Sequence, residues 1–354
     1  MLFVPNCYFR PYLRAVLYGI AAATAALFLA AVLAALLRVP ALRAGIVDRR
    51  LHRRLPLLGG VAVVVVTCLV TGVGQWTGVA PLGQGVDGLL VAAALVAALG
   101  LVADVWRLRL RVLVTGTAVA AACVVPYDET GVLGGMLAVG WILAASLAFK
   151  GLDHADGLAG TVGVVTAFGA GACAAAEVMD GLAVLLSVFA AALTGFLMHN
   201  WHPARIGLGT CGSLFTGFLL SSSLVFTRAG YDLGPSAAVM FCLGAVALAD
   251  AVLVVLARGV ARRSLLRRGP DHLAHRLRRL GLTPQASVVV LGAGSFSAVL
   301  VGVLVHTGWT GEGAVLWVAG GALLVVVVLL GIPVQSPRQA TSPQVSSPLR
   351  VRNG

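Results

Sequence analysis

Three acids in this sequence stand beside apolar stretches that offer little other polarity. Asp104 ends the run Gly100-Leu101-Val102-Ala103, and Asp153 and Asp156 lie three residues apart in Lys150-Gly151-Leu152-Asp153-His154-Ala155-Asp156-Gly157. If the second segment is helical, its two carboxylates share a face. Three carboxylates at helix ends could ligate a divalent cation, hold a phosphorylated substrate through it, or accept a proton. Further along, Gly207-Leu208-Gly209-Thr210-Cys211-Gly212-Ser213 opens an apolar run. Backbone N–H groups at such a helix start favour an anion such as phosphate. His272 and His275 can present two imidazoles on one side, flanked by arginines, Arg276 among them, suited to bidentate phosphate contacts. Asp250 lies inside the apolar end of another run, where a carboxylate needs a partner or a water-lined cavity.

Each motif alone has a plain reading: an acid caps a helix, a glycine turn reverses the chain, a histidine pair sits on a solvated loop. Their meaning depends on the elements that place them. Hydrophobic residues make up 59% of the 354 residues and charged ones 11%, against about half and about a quarter in soluble globular chains. The excess has to face lipid. At about 20 residues per crossing, apolar runs near 13–37, 57–76, 88–103, 112–126, 132–149, 158–176, 181–198, 212–227, 236–257, 287–306 and 314–333 predict eleven transmembrane helices. The expected fold is an all-α, polytopic integral membrane protein with a single domain over 1–333. Residues 334–354, with Pro, Ser, Gln and Thr, read as a disordered cytoplasmic tail. Residues 1–12 are too short and polar for a cleavable signal peptide, so the first helix is expected to stay. The six cysteines show no CxxC and no Cys/His cluster, which predicts neither a disulfide frame nor a zinc site.

A net charge of +12 would suggest nucleic acid in a soluble chain, but its distribution here points to a membrane. All of the 25 cations except Arg10, Arg14 and Arg228 fall on every second connection (38–56, 104–111, 150–157, 199–211, 258–286) or on the tail. The positive-inside rule then puts the N-terminus outside and the C-terminus in the cytoplasm of a plasma-membrane protein. The arginine-rich loops should attract anionic lipids, at about 1 kcal/mol per residue near the surface. All the candidate chemical groups lie on this same cytoplasmic side. A transporter is disfavoured, because there is no internal repeat and almost no intramembrane charge.

In this order the residues resemble the polyprenyl-phosphate N-acetylhexosamine-1-phosphate transferase family, which includes undecaprenyl-phosphate GlcNAc-1-phosphate transferases and phospho-MurNAc-pentapeptide transferases. The resemblance covers roughly residues 45–300, from Leu55-Pro56-Leu57-Leu58-Gly59-Gly60 to the histidine loop and Leu280-Gly281-Leu282-Thr283. It implies transfer of a sugar 1-phosphate from a UDP-N-acetylhexosamine to a polyprenyl phosphate, with Mg²⁺ and release of UMP, in cell-envelope glycan synthesis. It implies Asp104, Asp153 and Asp156 as catalytic residues, with Asp104 and Asp156 at the metal. Substrate and diphosphate contacts would fall to His272, His275, Arg276, Gly209, Gly212, Ser213, Lys150, Asp250, Pro56, Gly59 and Gly60. The expected partners are the polyprenyl lipid, the UDP-sugar and anionic lipids, with a homodimer as the candidate assembly and no nucleic acid.

The chain departs from the family pattern at identifiable positions. Ala103-Asp104 stands for two adjacent aspartates, Leu113 and Thr117 for a lysine and a glutamine, Lys150 for an asparagine, and Thr210 for the metal-binding aspartate. A threonine hydroxyl cannot replace a carboxylate's charge, so affinity for Mg²⁺ should fall. Lys150, the sole lysine, is positioned by sequence to supply part of the missing positive charge. These departures support a second expectation: a non-catalytic relative that binds lipid phosphate or nucleotide and regulates or scaffolds an active enzyme. Two loop histidines and eleven helices lean toward the GlcNAc-type members.

Overall fold

The computed structural model describes residues 6–50, 53–83, 85–106, 108–262, 269 and 271–332. The expected tail, the stretch 263–268 and the side chains of residues 6–16 therefore lie outside the described residues. The described residues are mostly helical: α1 (Asn6–Arg43), α2 (Gly59–Trp76), α3 (Val86–Trp106), α4 (Leu110–Val124), α5 (Tyr127–Leu152), α6 (Leu158–Ala176), α7 (Asp180–Asn200), α8 (Gly209–Thr227), α9 (Leu233–Val260), α10 (Leu273–Arg279), α11 (Pro284–His306) and α12 (Ala314–Leu330). Among the described residues nine helices are long and apolar enough to cross a membrane, and α4 and α12 are shorter apolar helices. Together they are the eleven expected runs, and the protein is a multi-pass membrane protein.

Two elements were not anticipated. Val47–Arg50 (β1) and Arg53–Pro56 (β2) form an antiparallel hairpin in the first arginine-rich loop. The short α10 lies within the histidine loop, after the extended residue His272, so His275 sits on a helix. Helix α5 also begins earlier than expected, because Tyr127–Thr130 makes a first turn that breaks at Gly131 (φ +68°) before the membrane run.

Lipid-facing side chains such as Phe28, Leu95, Leu137 and Leu324 cover the outside, while α8 is buried along almost its whole length. It packs against α3, α5, α2 and α6, while α7 packs against α1, α6 and α2 and meets α8 through the Phe189–Phe215 ring pair. The reason is visible in its composition. Small residues let helix backbones approach closely in a bilayer, where lipid offers no hydrophobic drive for association. A Cβ on Gly60 would collide with the backbone of Gly212, and one on Gly212 with Gly60. This contact between α2 and α8, both from the glycine motifs singled out above, fixes the first arginine-rich loop against the start of α8.

Candidate functional site

The turn that follows α5 organises the site. Helix α5 ends at Leu152, and Asp153 to Asp156 form a non-helical turn. The two carboxylates expected on one helical face therefore diverge. Gly157, in the left-handed region at φ +79°, lets the chain enter α6, and its N–H donates to the Asn200 side-chain oxygen at 2.9 Å. This short segment delivers Lys150 and Asp153 to α8, His154 to the histidines, and Asp156 to the loop 199–211.

At the α8 start, Gly209 takes φ +72°, and a Cβ there would meet the Leu57 carbonyl and the Asp104 carboxylate. Its N–H donates to Asp153 Oδ2 at 3.1 Å, and the N–H groups of Thr210 and Cys211 donate to Asp104 Oδ1 and Oδ2, each at 3.1 Å. The Thr210 side chain also bonds to Asp104. These backbone donors were expected to face a phosphate. They face carboxylates instead, because two acids from α3 and the α5 turn satisfy the orphan N–H groups of the first turn. Lys150 Nζ donates to Thr210 Oγ1 at 2.9 Å, and its charge acts on Asp104. Ser213 donates back to the Gly209 carbonyl at 2.7 Å and is fully buried, which makes it part of the helix rather than a surface contact. Leu113 and Thr117 are likewise buried.

The loops close over this end by backbone pairing. Gly59 and Gly60 donate to the carbonyls of Gly207 and Leu208 at 3.1 and 3.0 Å, and Gly207 donates to the Pro56 carbonyl at 2.7 Å. Asn200 Nδ2 donates to the Ile206 carbonyl at 2.8 Å. Asp156 Oδ2 takes the Ala204 N–H at 3.2 Å and pairs with His202 Nδ1 at 2.9 Å, so Asp156 holds this loop.

A second cluster forms where α9, α10 and the α5 turn meet. Asp250, 1% exposed, pairs through Oδ2 with His272 Nδ1 at 2.8 Å and through Oδ1 accepts the Leu273 N–H at 2.8 Å. The buried acid thus has the partners its position demanded, and it orients His272. His154 stacks on His272 with ring centroids 4.0 Å apart, and His275 lies 4.9 Å from His154. His154 Nδ1 contacts the Gly151 carbonyl at 2.9 Å, so this nitrogen carries the proton. Its Nε2 is buried without a hydrogen-bond partner. Burial lowers the His154 pKa to about 3, the histidines beside it act in the same direction, and Asp250 opposes them.

Arg276 is a correction to the sequence reading. Expected at a diphosphate, it is 2% exposed, and its Nη1 donates to the carbonyls of Leu329, Leu330 and Ile332 at 2.5, 3.2 and 3.1 Å. Its Nε donates to the Asp271 carbonyl at 3.2 Å, while Asp271 Oδ2 pairs with Arg258 at 3.1 Å. The last carbonyls of α12 have no helical partners, and the guanidinium fork satisfies them. Arg276→Met should therefore cost about 3 kcal/mol in stability, the range for breaking a buried charged network. A lower melting temperature with faster hydrogen exchange in α10 would check it, and an unchanged melt would refute it.

Sequence reasoning missed His154, His202, Asn200 and Asp271 as partners. His154 had a usable signal, a histidine between two singled-out aspartates. The others are joined to the site only through the fold.

The family pattern implies a divalent cation, and the carboxylates do not fit one. Both oxygens of Asp104 are taken by N–H donors, Asp153 caps Gly209, Asp156 is turned to His202, and an ammonium sits among them. Among the described residues, one grouping of three ligand-type side chains is close enough to share an ion: His154, Asp250 and His272. Two of its three donors are imidazole nitrogens, which do not suit Mg²⁺, a cation that takes oxygen ligands.

The sequence pattern of glycosyl transferase family 4 matches residues 86–228, which is α3 to the end of α8 and holds Asp104, Lys150, Asp153, Asp156 and Thr210. A Streptomyces coelicolor protein carrying a provisional glycosyltransferase name is 63% identical over 340 residues, 95% of this chain and 83% of its own length. The chain belongs to glycosyl transferase family 4. Two other relatives of this family-4 chain bear more specific names. One, provisionally named an undecaprenyl-phosphate N-acetylglucosaminyl 1-phosphate transferase, is from Bacillus subtilis and is 28% identical over 71% of this chain and 75% of its own. The other is a decaprenyl-phosphate N-acetylglucosaminephosphotransferase of Mycolicibacterium smegmatis, 27% identical over 84% of each.

Proposed function

We propose that this family-4 protein binds a polyprenyl phosphate and a UDP-N-acetylhexosamine at the cytoplasmic end of its helices and transfers the sugar 1-phosphate between them. The observation that carries the reading is the convergence, around one turn after α5, of the Lys150 ammonium, two carboxylates at the buried start of α8, and the histidine stack. In the reaction an oxygen of the lipid phosphate attacks the sugar-bearing phosphorus of the UDP-sugar. The pyrophosphate bond breaks, UMP leaves with the electron pair, and the product is a polyprenyl diphosphate sugar. Little covalent work falls to the protein in such an exchange, so positioning and charge stabilisation dominate. Lys150 offsets the phosphate charge, Asp104 and Asp153 fix the α8 start that holds Thr210 under Lys150, and His272 and His275 face the diphosphate. The apolar helices hold the lipid tail. N-acetylglucosamine is the favoured sugar, since the relatives named for it align over longer stretches than those named for phospho-N-acetylmuramoyl-pentapeptide, which reach 39% and 48% of the chain.

A second reading is supported by the same caps. With Asp104, Asp153 and Asp156 all engaged by the fold, the chain would bind lipid phosphate or nucleotide and regulate or scaffold an active enzyme. The test is UMP release by the purified protein given undecaprenyl phosphate and UDP-GlcNAc, with an active homologue alongside. Release that is lost in Asp104→Asn establishes the transferase, and none with several UDP-sugars establishes the second reading.

A further inference from the structure

We propose that Lys150 is the resident cation of this site, standing where a divalent metal would otherwise bind, so that the chain binds a phosphate or diphosphate oxyanion without a divalent ion. The inference rests on the substrate reading above.

The geometry supports it in three steps. A lysine at the end of a membrane helix ordinarily runs its stem outward to the headgroups. Lys150, in the last turn of α5, instead crosses to α8 and places Nζ 2.9 Å from Thr210 Oγ1. Second, it meets a site with negative charge to balance: Asp104 and Asp153 both end on the first turn of α8. A phosphate arriving there would add to two carboxylates, and like charges a few ångströms apart in a partly buried site repel by several kcal/mol. One fixed ammonium offsets part of that, and lysine binds phosphate well as a compact point charge. Third, the same ammonium and the N–H donors on Asp104 disfavour Mg²⁺. A dication needs near-octahedral oxygen ligation, and here the oxygens already accept hydrogen bonds while a positive charge stands beside them. Lys150 and Thr210 thus act as a pair: the hydroxyl takes the ammonium where a carboxylate would take a metal.

The pair can be tested by reversal. Binding of UDP-GlcNAc, and separately of undecaprenyl phosphate in mixed micelles, would be measured on the full-length purified protein in EDTA and in excess Mg²⁺. The two ligands distinguish a nucleotide diphosphate from a lipid phosphate as the bound group. The wild type should bind at least one of them with affinities that agree within about twofold in the two conditions. Lys150→Met should weaken that binding by about tenfold or more, roughly 1.4 kcal/mol, and Lys150→Arg by less. The double change Lys150→Asn with Thr210→Asp should make binding depend on Mg²⁺, and Mg²⁺ alone should then raise its melting temperature while leaving that of the wild type unmoved. Melting without ligand checks that each variant folds, and the arginine and double variants serve if the methionine one does not. Wild-type binding that falls about tenfold in EDTA overturns the proposal and leaves the substrate reading standing. Binding of neither ligand in either condition overturns both.

Discussion

Asp104→Asn is expected to lower ligand affinity and any UMP release by more than about a hundredfold, and to lower the melting temperature as well. The carboxylate accepts the N–H groups of Thr210 and Cys211, one on each oxygen, and also the Thr210 side chain. An amide has one acceptor oxygen, so its NH₂ would face a backbone N–H, leaving a half-buried donor unsatisfied. Hydrogen bonds to a charged group contribute about 1.5–3 kcal/mol each. Losing one outright and weakening the other comes to about 3 kcal/mol, which at roughly 1.4 kcal/mol per tenfold is a factor above a hundred. Because Thr210 positions Lys150, the loss reaches the ammonium as well. Asp156→Asn makes the internal comparison. Its carboxylate holds His202 and Ala204 in the neighbouring loop rather than the α8 start, so its effect on binding should be smaller by at least about tenfold. Equal losses in the two variants would show that Asp104 has no special place in the site.

The fold was legible because membrane helices are written in composition. Eleven apolar runs separated by arginines leave few alternatives once the chain must satisfy every backbone group inside lipid. The hairpin of β1 and β2 escaped because its residues are arginines, aspartate and one or two aliphatics, with nothing in their pattern to separate a strand from a charged loop. The break at Gly131 also escaped, since a glycine in an apolar run is as often a packing residue as a hinge.

For the candidate site, the sequence indicated which residues would come together more than which way each would face. Asp104, Lys150, Asp153, Thr210, Asp250 and His272 do gather at one end of the helices, and the order of their motifs along the chain was enough to say so. Their directions were not readable, because a carboxylate that ligates a metal and one that caps a helix look alike in sequence. Asp104 was expected at a metal, and in the structure its carboxylate accepts the N–H groups of Thr210 and Cys211. Arg276 shows the same ambiguity for a cation: the guanidinium that suits phosphate also suits the last two carbonyls of α12 and that of Ile332 just beyond it. Spacing cannot choose between them, since the partner is more than fifty residues away along the chain. Lys150 and Thr210 stood in the sequence as two departures from one pattern, the lysine offered as a source of the missing positive charge, and the fold brings Lys150 Nζ to 2.9 Å from Thr210 Oγ1.

Acid should destabilise the protein through His154, and His154→Gln should remove part of that effect. In the unfolded chain its imidazole titrates near 6.5, whereas burial lowers the folded value to about 3. Between those limits the unfolded state binds the proton and the folded state does not, so stability falls as pH falls through the window and is fully present above it. The group faces Asp250, which opposes the shift, and His272 and His275, which reinforce it. At about 1.4 kcal/mol per pH unit, the single histidine contributes roughly 4 to 5 kcal/mol across the window. Glutamine cannot titrate, and its amide can still donate to the Gly151 carbonyl that His154 Nδ1 meets at 2.9 Å. Melting temperatures of the wild type and the variant, followed from pH 7 down to about 4 in one detergent, should diverge, with the wild type falling more steeply. Parallel curves would mean that His154 is protonated in the folded protein, and its unpartnered Nε2 would then have to carry a proton into the stack against His272.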